Sequence, residues 1–228
     1  MRNISVIIKK QIKDTIKNRV VLIQFILFPV MTLIMENAIK LDGMPDAFFT
    51  KLFSVMYMGM APLTAMAAII SEEKEKNTLR VLMMANVAPW EYLAGVGIYV
   101  WTICMAGAGV MATGLEKENI LFYLLIMGLG FVISIVLGGC IGIFAKNQMV
   151  STSLVMPAMA ILSFGPMLAL FNSTIEKVAK FLYTQQMSVL LNKMSFDKGI
   201  GESIIIIVIN AAVFIMLFFI AFRKKGLE

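Results

Sequence analysis

The chain of 228 residues contains no histidine. That removes the usual general base, the commonest metal ligand and the usual switch near neutral pH. Cysteine is almost absent too. Cys104 and Cys140 lie inside separate hydrophobic runs, far apart in sequence, which argues against a disulfide framework or zinc site and for small buried apolar residues. No Gly-x-x-x-x-Gly-Lys-Ser/Thr string occurs, so the chain has no P-loop to cradle a nucleotide phosphate. Glu72-Glu73 beside a hydrophobic run superficially fits an intramembrane metal-dependent protease, but such a site needs histidine ligands. A serine–lysine dyad fails as well, since every lysine sits outside the hydrophobic centres. The sequence therefore offers no catalytic residue and no metal site.

Charge is scarce at 15% of residues, while 60% are hydrophobic and the mean hydropathy is +0.87. Soluble domains average about 25% charged, so this composition belongs to a membrane protein. Six hydrophobic runs approach the ~20 residues that cross a bilayer as a helix. They fall at about Val20–Met35, Leu52–Ile70, Tyr92–Gly114, Ile120–Ala145, Met149–Phe171 and Ser203–Phe222. Pro29, Pro62, Pro157 and Pro166 lie within them and predict kinks. Before the first run, Ile4, Ile8, Ile12 and Ile16 recur every fourth residue with Lys9, Lys10, Lys13 and Lys17 on other faces. This predicts a basic amphipathic helix over residues 1–19, lying in the membrane interface, rather than a cleavable signal. The expected fold is all-α and integral to the membrane, with residues 20–228 forming one six-helix domain.

The net charge of +6 does not point to nucleic acid, because the basic residues flank hydrophobic spans instead of forming a soluble face. Their distribution sets orientation. Arg2, Lys9, Lys10, Lys13, Lys17, Arg19, Lys74, Lys76, Arg80, Lys146, Arg223, Lys224 and Lys225 fall on one side. Lys40, Lys51, Lys117, Lys177, Lys180, Lys193 and Lys198 fall on the other. Both termini are thus expected in the cytoplasm of a multi-pass cell-membrane protein. Residues 172–202, on the outer side, carry an apolar face of Ile175, Val178, Phe181, Leu182, Val189, Leu190 and Leu191. They predict either short helices on the outer leaflet or a loop packed on the bundle.

The longest polar interruption is Ser71 to Gly95, SEEKEKNTLRVLMMANVAPWEYLAG. Its spacing predicts a short amphipathic helix over about residues 72–84, capped by Ser71, with early glutamates suited to a helix N-terminus. Leu79, Leu82 and Met83 form its apolar face; Asn86 and Pro89 supply the stop. Glycines cluster in the fourth run (Gly128, Gly130, Gly138, Gly139, Gly142) and in the third (Gly95, Gly107, Gly109, Gly114), predicting close helix approach there. Twenty methionines are present. Those on the first, second and fifth runs suit either ordinary apolar filling or a permissive substrate path.

The segment Glu73 to Gly95 resembles the cytoplasmic coupling region of ABC-2 type transporter permeases. That family carries a Glu-Arg-Glu-x-Gly-Thr-Leu stretch, a leucine-rich helix, a Thr-Pro turn and a Gly-Lys entering the third span. This chain keeps Glu73, Glu75, Thr78, Leu79, Leu82, Glu91, Leu93 and Gly95. It departs at Lys74 for arginine, Asn77 for glycine, Asn86 for proline and Val96 for lysine. Asparagine can adopt the left-handed conformation of glycine. The entry helix, six spans, the outer amphipathic segment and the tail Arg223-Lys224-Lys225 extend the likeness over the whole chain.

The resemblance implies a half-transporter. A second permease subunit, identical or not, would pair with it, each docked on a cytoplasmic ABC ATPase that holds the ATP and magnesium; this chain would need no cofactor. Glu72, Glu73, Glu75, Thr78, Leu79, Arg80, Leu82 and Met83 are the expected coupling residues, with Leu79, Leu82 and Met83 as apolar anchors. An exported hydrophobic or amphipathic molecule (a peptide, drug or lipid) would pass Gln24, Met31, Met56, Met60, Met156 and Met159, in contact with membrane lipids. A carrier not driven by ATP, or a scaffold docking a cytoplasmic partner, are the alternatives.

Overall fold

In a computed structural model of the chain, residues 2–17, 19–39, 43, 45–194 and 200–225 are described. Among these, eleven α-helices account for nearly all regular structure. They are α1 (Arg2–Lys17), α2 (Arg19–Ala38), α3 (Phe48–Glu75), α4 (Thr78–Met84), α5 (Pro89–Met111) and α6 (Lys117–Phe144). Then follow α7 (Gln148–Met159), α8 (Gly165–Ala169), α9 (Ser173–Ala179), α10 (Tyr183–Lys193) and α11 (Gly201–Lys225). The first residues of α2 and the last of α11 contribute backbone only to this description.

Among the described residues, five units are long and apolar enough to cross a membrane: α3, α5 with its short 3₁₀ extension, α6, α7–α8 and α11. The chain is a multi-pass membrane protein. The expected first span is α2, and Pro29 lies inside it.

The bundle is built around α3. Its apolar window is 83% buried, against 6% for α11, so α3 is the central post and α11 lies at the periphery. Contacts along α3 give each neighbour its direction. Gln24 and Glu36 of α2 meet Thr64 and Thr50 respectively, so α2 runs antiparallel to α3. Tyr123 and Ser134 of α6 meet Ser54 and the Met58 carbonyl, so α6 runs parallel.

The glycines fulfil their expected role on α6. A Cβ at Gly138 would collide with the Leu63 carbonyl, so the two backbones pass in direct contact. Gly59 of α3 does the same toward the fifth span, where an added Cβ would lie 2.8 Å from the Leu162 carbonyl carbon.

That fifth span is not one continuous α-helix. Ala160–Phe164 form a π-turn between α7 and α8, with Pro157 just before it and Pro166 at the start of α8. Proline withholds backbone N–H groups, and the wider turn absorbs the mismatch. Ser163 donates to the Met56 carbonyl at 3.0 Å, tying the irregular turn to α3.

The buried face of α1 differs from the expected one, and the 172–202 segment divides between the two alternatives. In α1 the buried ridge is Ile7, Gln11 and Thr15, one register away from the isoleucine repeat, and Ile12 is exposed. The ridge packs on α5, where Gly95 receives Ile7. In the 172–202 segment, α9 is mostly exposed, but α10 is drawn into the bundle. Tyr183, Met187 and Leu191 are buried at helical spacing, and the Tyr183 hydroxyl meets Ser134 Oγ. Residues 195–199 of that segment lie outside the described part.

Candidate functional site

The site begins where α3 leaves the apolar region. No breaker stands between Ile70 and Glu75, and glutamate and lysine are good helix formers, so α3 continues through the charged run. Ser71 therefore does not cap a new helix. It is buried mid-helix, its hydroxyl donating to the Ala68 carbonyl. The break comes at Lys76-Asn77, where Asn77 adopts a left-handed φ of 56°, the conformation glycine supplies most readily. The expected helix over 72–84 is thus two pieces, the last turn of α3 and α4. Thr78 bridges them, its hydroxyl donating to the Glu73 carbonyl at 3.1 Å. Asn86, at φ 60°, ends α4. Pro89 is not part of that stop; it opens α5 at its first position, where a missing N–H costs nothing.

Three consecutive residues at the end of α3 hold three different helices. Glu73 is buried and its Oε1 accepts from Lys10 Nζ at 2.6 Å and from the buried Gln11 amide, both on α1. Lys74 Nζ donates to the Ile143 carbonyl at 2.9 Å, satisfying the end of α6. Glu75 Oε2 accepts from the Gln148 N–H at 2.9 Å, capping the start of α7. Glu72 is left to pair with Lys76 on the surface, and that carboxylate raises the Lys76 pKa above its ordinary value. Nearby, Glu91 accepts from the Ala88 N–H and from Asn3, fixing the starts of α5 and α1 together.

On α4 the expected apolar face exists, but it looks inward. Leu79 is 1% exposed, and Leu82 and Met83 pack half-buried on the same core. The face turned to solvent carries Arg80, Val81 and Met84, with Val81 62% and Met84 74% exposed. Trp90, 62% exposed, stands at the start of α5. Arg80 was among the expected coupling residues; the exposure of Val81 and Met84 follows from the complementary spacing of residues 81 and 84 to the inward-facing 79–82–83 stripe.

The residues proposed to line a path are not gathered into one lumen. Gln24 accepts from Thr64 between α2 and α3. Met56 is buried, while Met60 and Met159 are half-buried. Met31 on α2 and Met156 on α7 face outward. Cys104 and Cys140 are buried and unpaired. Among the described residues no group of histidine, cysteine or carboxylate side chains could hold a metal.

A family model described as ABC-2 family transporter protein matches residues 2–221. The chain belongs to the ABC-2 transporter family. Its members are transmembrane transport components that normally work with a cytoplasmic ABC ATPase. No curated protein matches the chain closely enough to count as a relative. As an ABC-2 family member, the chain uses most of the residues that it shares with the family's coupling region within its own fold. Glu73, Glu75, Thr78, Leu79, Glu91 and Gly95 all make intramolecular contacts.

Proposed function

We propose that this chain is the membrane-spanning subunit of an ATP-driven exporter, docked through the exposed face of α4 on a separate ABC ATPase that binds ATP and magnesium. The observation that carries the reading is the solvent-facing pair Val81 and Met84, flanked by Arg80 and Trp90, directly attached to the three-way tie at Glu73–Glu75. Apolar side chains left in solvent beside a charged rim suit a protein groove. Leu79, Leu82 and Met83 anchor α4 to the bundle, and Glu72 with Arg80 forms the rim. Movement of α4 reaches α1, α6 and α7 through Glu73, Lys74 and Glu75.

The α4 end of the bundle is the cytoplasmic one, and α2 serves as a sixth span, which agrees with the clustering of basic residues at that end. A second copy, or a similar subunit, pairs along the apolar outer faces of α2 and α7, where Val30, Met31, Leu154 and Met156 are exposed. A hydrophobic or amphipathic substrate moves outward along the seam between the two subunits.

Co-purification with a co-expressed ABC ATPase tests the docking face. Val81→Asp with Met84→Asp should abolish the complex and its stimulated ATP hydrolysis, while the variant still inserts and elutes as a folded protein. A double variant that couples normally would refute α4 as the docking element.

A further inference from the structure

The isoleucine repeat of α1 and the lysines beside it have no part in the docking face of α4, yet the fold gives them a place. Side-chain bonds at two points fix where α1 lies. Asn3 donates to Glu91, which stands next to Tyr92 at the start of the apolar run of α5. Lys10 and Gln11 donate to Glu73, just past Ile70 at the end of the apolar run of α3. Both anchors stand at the same edge of the apolar region. The stretch between them, about 11 Å of helix, therefore runs along that edge rather than across it. Around its axis α1 then has four sides. Ile7, Gln11 and Thr15 are buried against the bundle. Lys9 and Lys13, both exposed, point away from that ridge, and Val6, 60% exposed, shares their side. One flank between them carries Ile4 and Ile8, half-buried, and Ile12, 45% exposed. The other flank carries Lys10 and Asp14, paired at 3.6 Å. Lys9 and Lys13 make no ion pair among the described residues.

We infer that α1 binds anionic lipid headgroups, with their phosphates against Lys9 and Lys13 and their acyl chains against the Ile8–Ile12 flank. The order of the sides selects a membrane surface. A helix at the edge of the apolar region meets acyl chains on its deeper flank, headgroups outward and water on the flank that remains. The apolar, basic and acid-containing sides of α1 follow one another in that order. Two unpaired lysines one turn apart then favour a negative surface, each by about fivefold. The same arrangement accounts for the isoleucine repeat, which forms a lipid flank beside the packed ridge rather than the ridge itself. The inference concerns α1 and the bilayer alone, so it stands apart from the docking role of α4, from the pairing of subunits and from the direction of transport.

The test uses the full chain in nanodiscs, without any ATPase, and reads amide exchange along α1. Exchange there should be severalfold slower in discs of phosphatidylcholine mixed with phosphatidylglycerol than in phosphatidylcholine alone, while the middle of α11 stays the same. Lys9→Gln with Lys13→Gln should erase the difference between the two discs, and Lys9→Arg with Lys13→Arg should keep it. Lys177→Gln, at an exposed lysine of α9, should change nothing. Equal exchange of the wild type in both discs, or a glutamine double variant that responds as the wild type does, would overturn the site. Slowing by inorganic phosphate in phosphatidylcholine discs would overturn the lipid, leaving a free-anion site. Slowing that appears only with a bound ABC ATPase would overturn it too, and would assign this face to protein.

Discussion

Glu73 holds a lysine and a glutamine from the far side of the sequence, and both bonds end on one oxygen. Glu73→Ala would leave the buried Gln11 amide without its acceptor, a cost of about 1–3 kcal/mol. Its thermal unfolding in detergent should fall below wild type, and amide exchange across α1 should quicken. Glu73→Gln keeps an acceptor for Gln11 and should lose less. Equal melting of Glu73→Ala and wild type would show that the tie adds no stability. Leu79 makes a contrasting case. A buried carboxylate in its place has no partner, so Leu79→Asp should misfold rather than merely uncouple. Leu79→Ala should fold, with a loss of about 2–5 kcal/mol. If Leu79→Asp yields normal amounts of folded protein, the inward packing of α4 is wrong.

Between α3 and α6 the decisive contact is backbone on backbone. At Gly138 an added methyl meets the Leu63 carbonyl, which can yield only if a helix moves; at Gly109 it meets nothing within 4 Å. Gly138→Ala should therefore destabilise by about 1–3 kcal/mol, and Gly109→Ala should be neutral or slightly stabilising. Matching melting curves for the two would contradict the close approach. The glycine cluster in the fourth run announced this packing, because small residues have few other uses inside an apolar helix. Asparagine is among the few residues that tolerate the left-handed turn at Asn77, yet the apolar spacing predicted a helix running straight through it. Helix boundaries in the charged run were not legible. Charge marks the edge of the apolar region, but it does not end a helix, so α3 runs on through Glu75. The register of α1 was not legible because Gln11, though polar, is buried through its bond to Glu73, a partner that no periodicity reveals. Likewise, the apolar spacing of α10 could not say whether it would meet lipid or protein.

For the molecule as a whole, alternation of helix direction predicts that α4 and α9 lie on opposite sides of the membrane. Single cysteines at Met84 and at Val178, both exposed, should react with a membrane-impermeant maleimide from opposite faces of intact vesicles or cells. Cys104 and Cys140 are buried and should stay silent. Labelling of both sites from the same side would remove the proposed topology. The long apolar runs made a multi-pass, all-helical membrane protein readable from composition alone. The choice of which helix sits at the centre was not readable, since α11 is the more hydrophobic and α3 the more buried.

The ties at Glu73, Lys74 and Glu75 also constrain how this chain can change in length. Successive residues on a helix are rotated by about 100°, so the three side chains sweep about 200°, just over half of the way around the end of α3. Inserting or deleting one residue just before them would turn all three away from α1, α6 and α7 together. No single compensating substitution could restore the set. Here the count of residues, more than their identity, is what the fold holds fixed.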